Sequence, residues 1–343
     1  MWLPVNDEGD EPRALSPKER RKLRAQRRKS GTIEMVVPPA KWNLSVGSDY
    51  EGEVFIWDLD KTYLRSEFST LRGLIRTAFE PGRNKVAYPG AAALLKTLRR
   101  RSDGSLRPIF FVSASPPQIR ERILEKFALD GIELDGIYFK DNLRNFRPGR
   151  FNRLREQMGY KLMAVLDLRA RLPTGAVEVT FGDDSENDPA VYAVYSESLQ
   201  GRLRGVRLSR YLEKQGVKPD EATKIAWRSR RMPPRPPVRR IFITVHRDLD
   251  PRYYRRYGLD VVPTRNAFQA AVVLAASSSI TYPDLTNVCE EVLQTAAATA
   301  GSLLRQLHEL HSVRSLNDHD LEVTIEWLRK VGVFQRTASS KPR

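Results

Sequence analysis

The stretch EVFIWDLDKTYL, residues 53–64, places two carboxylates one residue apart, Asp58 and Asp60, where an apolar run ends. Strand residues two apart point to the same side, so a continuing strand would bring both carboxylates to one spot. Like charges that close need neutralising, and carboxylate oxygens are the ligands Mg²⁺ prefers. The expectation is a cation site built around Asp58 and Asp60. Polar residues end two further apolar runs in the same manner: Ser113 in PIFFVSAS, and Asp183 and Asp184 in VEVTFGDD.

Those runs are the elements that must position the carboxylates. VFIWDLD (54–60) reads as a strand, and GAAALLKTLRRR (90–101) as a helix with Pro89 as its start signal. PIFFVSAS (108–115) is a second strand, and PPQIRERILEKFAL (116–129) a helix opened by two prolines. GIELDGIYF (131–139) is a third strand, and VEVTFGDD (177–184) a fourth after a helix near 160–171. Such alternation predicts an α/β fold, a parallel sheet flanked by helices, and ligands in these sheets bind at the carboxyl ends of the strands. Beyond residue 200 the chain offers WRSRRMPPRPPVRR (227–240), a basic, proline-rich connector expected to be extended and exposed. IFITVHRD (241–248) follows as an extra strand, and residues 264–343 form a helical C-terminal region with helices over 264–280, 284–313 and 317–334. The resulting organisation is a tail over 1–50, a domain over 51–263 with its motif core at 52–205, and the helical region.

Composition fits a globular chain of 343 residues, neither fibrous nor wholly disordered, with 41% hydrophobic content. Its 58 Lys+Arg against 42 Asp+Glu give a net charge of +16, which favours polyanionic partners. The segment SPKERRKLRAQRRKSG (16–31) is too charged to bury itself and is expected to be a flexible basic tail suited to anionic lipid or nucleic acid. A single cysteine, Cys289, cannot form an internal disulfide and fits a reducing compartment. The longest apolar candidate, AFQAAVVLAASSSI (267–280), is too short to cross a bilayer, and MWLPVNDEGDEP lacks the order of a signal peptide. A cytoplasmic protein that can meet a membrane peripherally is the expectation; the oligomeric state is left open.

DLDKT (58–62), Ser113, Lys161 and GDDSEND (182–188) together resemble the four ordered motifs of the haloacid dehalogenase superfamily of phosphohydrolases. Within it, FVSASPPQI, YKLMAVLDLRARLP and FGDDSENDPAVY look like the catalytic domain of the phosphatidate phosphatases associated with actin patches. The resemblance implies a Rossmann-like sheet and a bound Mg²⁺. It makes Asp58 the nucleophile, which suits a carboxylate that splits hydrolysis into two steps through an aspartyl-phosphate. Asp60 becomes the general acid and base, its backbone carbonyl joining Asp58 at the metal, and Asp183 completes the ligand set. Ser113 and Lys161 contact the phosphoryl group, with Lys140 in YFKDN as the alternative lysine. Asp184, Asp188 and Thr62 are secondary site residues.

The implied function is a Mg²⁺-dependent phosphatase acting on phosphatidate or a related phospholipid at a membrane surface. Phosphoprotein, nucleic-acid ends, soluble phosphometabolites and a non-catalytic phosphate-binding scaffold are the alternatives. Only a short basic insert, EFSTLRGLIRTAFEPGR (67–83), separates the first two strands, so no large cap is expected. Two positions depart from the closer family: Lys61 stands where it carries an acid, and Asp184–Ser185 where it carries serine-glycine. His308, His311 and His319 lack a convincing further ligand and read as surface histidines.

Overall fold

The computed structural model describes residues 34–36, 46–64, 86–115, 119–140, 153–295 and 298–334. The basic tail at 16–31, the insert at 67–83 and the prolines at 116–117 lie outside them. Strand β1 is Glu34–Val36, β2 Glu53–Asp58, β3 Ile109–Ser113, β4 Gly136–Phe139, β5 Val177–Asp183, β6 Arg240–Thr244 and β7 Val261–Thr264. They form one sheet in the order β1-β4-β3-β2-β5-β6-β7. The pairs linking β4, β3, β2, β5, β6 and β7 are all parallel, and β1 joins the β4 edge antiparallel. Residues 34–36 thus belong to the sheet although they fall within the segment expected to be a tail.

Burial on both faces explains the continuous apolar runs. Along β2 the pleat sends Phe55 and Trp57 to one core and Val54 and Ile56 to the other. The first core lies under helices α1 (Ala91–Arg99) and α2 (Arg120–Leu129), joined by α7 (Ala267–Ala276), α8 (Tyr282–Leu293), α9 (Ala300–Ser312) and α10 (Asp318–Lys330). The second lies under α3 (Arg153–Arg169), α4 (Asp188–Leu199), α5 (Gly205–Lys214) and α6 (Pro219–Arg230). A 3₁₀ helix, Pro251–Tyr257, carries the chain from β6 towards β7 and sets Tyr254 into this second core. The α/β architecture matches the sequence reading, and the C-terminal helices cover one face of the same sheet.

Four features differ from the sequence reading. VVPT contains Pro263 and so reads poorly as a strand, yet β7 is an edge, where the missing N–H is tolerated. The connector expected at 227–240 is helical to Arg230, and Met232 and Val238 are buried rather than exposed. The single helix expected at 284–313 is two, because Thr299 and Ser302 form a capping box that starts α9. Lys161, expected near a helix start, falls inside α3, which begins at Arg153.

Beneath the carboxyl ends, four neighbouring strands carry an aromatic in register: Phe111, Trp57, Phe181 and Phe242. Trp57 stacks on Phe181 at 4.0 Å between centroids, and Phe181 on Phe242 at 4.9 Å. A one-residue slip would turn each ring to the other face, so the row fixes the register. Phe181→Ala should lower unfolding stability by about 3–5 kcal/mol, read from chemical denaturation, because a buried aromatic leaves a cavity its neighbours cannot close; a loss below about 1 kcal/mol would mean that the row is not a structural support.

Candidate active site

Chain order places the site. From β2 the chain moves outward through β3 and β4, then returns to β5 on the other side of β2. The connections therefore diverge between β2 and β5, and the crevice opened at their carboxyl ends is the usual ligand position in such sheets. Asp58 closes β2 and Asp183 closes β5, so both point into that gap from neighbouring strands.

The third carboxylate arrives from α4. Asp188 is the first residue of that helix, where backbone N–H groups favour a negative side chain. Its Oδ2 accepts from the Asp183 N–H at 3.3 Å. Gly182 makes the approach possible, because a Cβ there would stand 2.6 Å from Asp188 Oδ2. Asp58, Asp183 and Asp188 are all buried, and one carboxylate oxygen from each lies within 4.8 Å of the others. Among the described residues this grouping could hold a metal ion.

Lys161 reaches the cluster from α3, itself 1% exposed. Its Nζ lies 2.8 Å from Asp58 Oδ1, 2.5 Å from Asp188 Oδ1 and 2.9 Å from Glu186 Oε2. One ammonium thus answers four buried or half-buried carboxylates, counting Asp183. Burial pushes the Asp58 carboxyl well above the usual range; Lys161 opposes this, while Asp188, Glu186 and Asp183 add to it. Burial likewise raises Asp183 to about 6 and Asp188 to about 7. Burial would lower Lys161, but Asp188, Asp58 and Glu186 outweigh it and hold the ammonium firmly protonated. Asp58 Oδ2 and Asp183 Oδ2 are buried without a hydrogen-bond partner. Surplus negative charge and two orphaned oxygens, all on hard ligands, fit a small divalent cation.

Asp60 has different surroundings. The strand ends at Asp58, so the pleat does not carry through to Asp60, and its Oδ2 turns to β3. There it accepts from Ser115 Oγ at 2.7 Å and Ser113 Oγ at 3.3 Å. Ser113 also accepts from the Ser115 N–H at 3.1 Å. Thr62 is buried, with Oγ1 lacking a partner. Lys140 Nζ lies 6.0 Å from the Tyr160 ring centroid.

Asp184 points away from the cluster. Its carboxylate accepts from the N–H groups of His246 at 2.7 Å and Arg247 at 3.1 Å, and from the Tyr254 hydroxyl. His246 Nε2–H in turn donates to the Lys61 carbonyl at 2.8 Å, beside a left-handed Lys61 with φ of 61°. Ser115, Glu186 and the Asp184 anchor were not foreseen. The SAS spacing signals Ser115, since residues two apart share a side; nothing in the sequence links Asp184 to a tyrosine seventy residues on. The C-terminal histidines stay at the surface, with His311 Nε2 2.6 Å from Asp318.

Replacing Lys161 by Met should strand the carboxylates around it. A loss of about 3–5 kcal/mol in denaturation is expected, the cost of removing one partner of a buried ion pair. A variant as stable as the wild type would show that the ammonium is not their counter-charge.

No curated protein and no solved structure matches the chain. Among the described residues no helix is long and apolar enough to cross a membrane. Residues 54–209 match the family model described as phosphatidate phosphatase APP1, catalytic domain; this stretch, from β2 into α5, carries a hydrolase of the phosphatase class.

Proposed function

We propose that the chain is a Mg²⁺-dependent phosphatidate phosphatase working at a membrane surface through an aspartyl-phosphate on Asp58. The observation that carries this reading is the buried cluster of Asp58, Asp183 and Asp188 around Lys161, set within the matched catalytic segment. Asp58, Asp183 and the Asp60 carbonyl would hold the Mg²⁺, with Asp188 fixing Lys161 and the Asp183 backbone. Bound there, the ion supplies positive charge for the phosphoryl oxygens and keeps Asp58 ionised.

The remaining steps belong to the protein. An Asp58 oxygen attacks phosphorus in line, and the bond to the glycerol oxygen breaks. Asp60, steadied by Ser115 and Ser113, delivers its proton to that leaving oxygen. It then takes a proton from a water that attacks the aspartyl-phosphate, releasing phosphate and restoring Asp58. Lys161 offsets the negative charge that gathers during both steps. Ser113, buried beside Asp60, offers a hydroxyl to a phosphoryl oxygen.

Phosphate release from phosphatidate vesicles tests the reading. The wild type should be active with Mg²⁺ and inactive with excess chelator, and Asp58→Asn should be reduced to background. Asp60→Asn should lose about 10²–10⁴-fold, the range for a general acid and base. Turnover confined to phosphoproteins, nucleic-acid ends or soluble phosphomonoesters would replace the lipid reading, and no turnover of any would leave a binding module.

A second prediction concerns pH. Asp183 and Asp188, raised to about 6 and 7 from an ordinary 3.8, bind protons more tightly folded than unfolded. Their contribution to stability is therefore greatest in acid and is lost as pH rises towards 7. A cation competes with those protons, so the Mg²⁺-induced rise in Tm should be larger at about pH 8 than at about pH 5.5. An equal or reversed increment would place the bound ion elsewhere.

A further inference from the structure

The segment leaving β6 emerges beside the carboxylates and is unusually outward-facing. Arg247, Asp248, Leu249 and Asp250 are exposed, as are Arg252, Tyr253, Arg255 and Arg256 of the 3₁₀ helix. Leu249 and Tyr253 keep 36% and 37% of their surface in contact with solvent. Only Tyr254 turns fully inward, where its hydroxyl meets Asp184. Tyr253 and Arg256 share a face at the three-residue spacing of the helix, and the guanidinium carbon of Arg256 lies 4.3 Å from the Tyr253 centroid and 5.2 Å from that of Tyr257.

We propose that residues 247–256 are the surface through which this chain docks on an anionic phospholipid bilayer, with Leu249 and Tyr253 entering the interface and the arginines meeting lipid phosphates. The proposal rests on the phosphatidate reading for its biological sense but not for its physics. Four arginines against two aspartates leave the segment positive, with Arg252 paired to Asp250 and Arg255 donating to the Val313 carbonyl, so that Arg247 and Arg256 are the ones offered to lipid. A basic side chain is drawn to an anionic leaflet, and tyrosine favours the headgroup level, where its ring is buried and its hydroxyl stays wet. An arginine stacked on tyrosine rings keeps its planar donors available to phosphate.

Asp184 supplies the connection to the site. Asp184 grips the N–H groups of His246 and Arg247 and the Tyr254 hydroxyl, one residue from Asp183, while His246 holds the Lys61 carbonyl one residue from Asp60. The docking segment is thereby fixed to both catalytic strands. By contrast, a cavity of about 370 Å³ lies at the opposite, amino ends of the strands, and there Arg101, Arg107 and Arg239 face Glu51, Glu53 and Asp103. Its charges balance, and it offers an anionic surface no advantage.

The test compares the full chain with a Leu249→Ser/Tyr253→Ser variant and an Arg252→Glu/Arg256→Glu variant. Each is floated with phosphatidylcholine vesicles, with and without phosphatidate, and assayed on vesicle phosphatidate and on p-nitrophenyl phosphate. The basic stretch at 16–31 is common to all and cancels. Turnover of the soluble ester should be unchanged in both variants, which also reports folding. Affinity for phosphatidate-bearing vesicles should fall about tenfold for the serine variant, the value of two part-exposed apolar side chains, with a parallel fall in vesicle turnover. The charge-reversed variant should lose binding to phosphatidate-bearing vesicles only. If both variants float and turn over vesicle lipid like the wild type, the docking surface is overturned and the substrate reading stands. If the wild type floats and the variants do not, yet no phosphatidate is hydrolysed, the docking surface stands and the substrate reading falls.

Discussion

Surplus negative charge is the constraint on which the site depends. Lys161 is surrounded by Asp58, Asp188 and Glu186, with Asp183 beside them, in a volume nearly closed to water. Such a cluster is costly unless protons or a cation offset it, and the fold must supply that cost from elsewhere. The two apolar cores do so. They clamp the sheet from both faces, leaving Asp58, Asp183 and Lys161 little freedom to separate and relieve their repulsion. The result is an electron-rich pocket held in shape by the packing around it, a grouping that could accept a metal ion with little reorganisation.

Position is set by topology and register together. The divergence of connections at β2 and β5 opens the crevice, and the aromatic row one layer down fixes which residues reach it. Gly182 then admits Asp188 where any side chain would block it. Asp58 and Asp60 act in separate environments because the strand ends between them: one carboxylate faces an ammonium, the other two hydroxyls. On the proposed reading, that division suits Asp58 to attack and Asp60 to move protons.

Much of this was legible in the sequence. The strands ending in Asp58 and Ser113 announce themselves because each is an unbroken apolar run bounded by polar residues, and the one ending in Asp183 because Val177, Val179 and Phe181 alternate with Glu178 and Thr180. Lys161 and the GDDSEND motif were legible by their order along the chain. Three things were not. β7 hid behind Pro263, since propensity cannot distinguish an edge from a centre. The helices at 205–230 were obscured by their dense charge, although one face of each is apolar. Asp184 looked like a further cation ligand because a string of acids carries no direction; only its long-range contacts with Tyr254 and the His246 backbone show which way it turns. Glu186 belongs with Asp184, since its partner Lys161 lies in another element and no local spacing announces it.

The matched catalytic segment stops at residue 209, inside α5, whereas the sheet that carries it continues through β6 and β7. Cut there, β5 would become an open edge with unpaired backbone groups, and the face now covered by α7–α10 would be laid bare. The Asp184 anchor would also lose both the loop and the tyrosine it holds. A fragment chosen by family boundaries alone would thus contain every residue of the carboxylate cluster and still be an aggregation-prone half of a fold. In this chain the catalytic unit and the folding unit have different lengths.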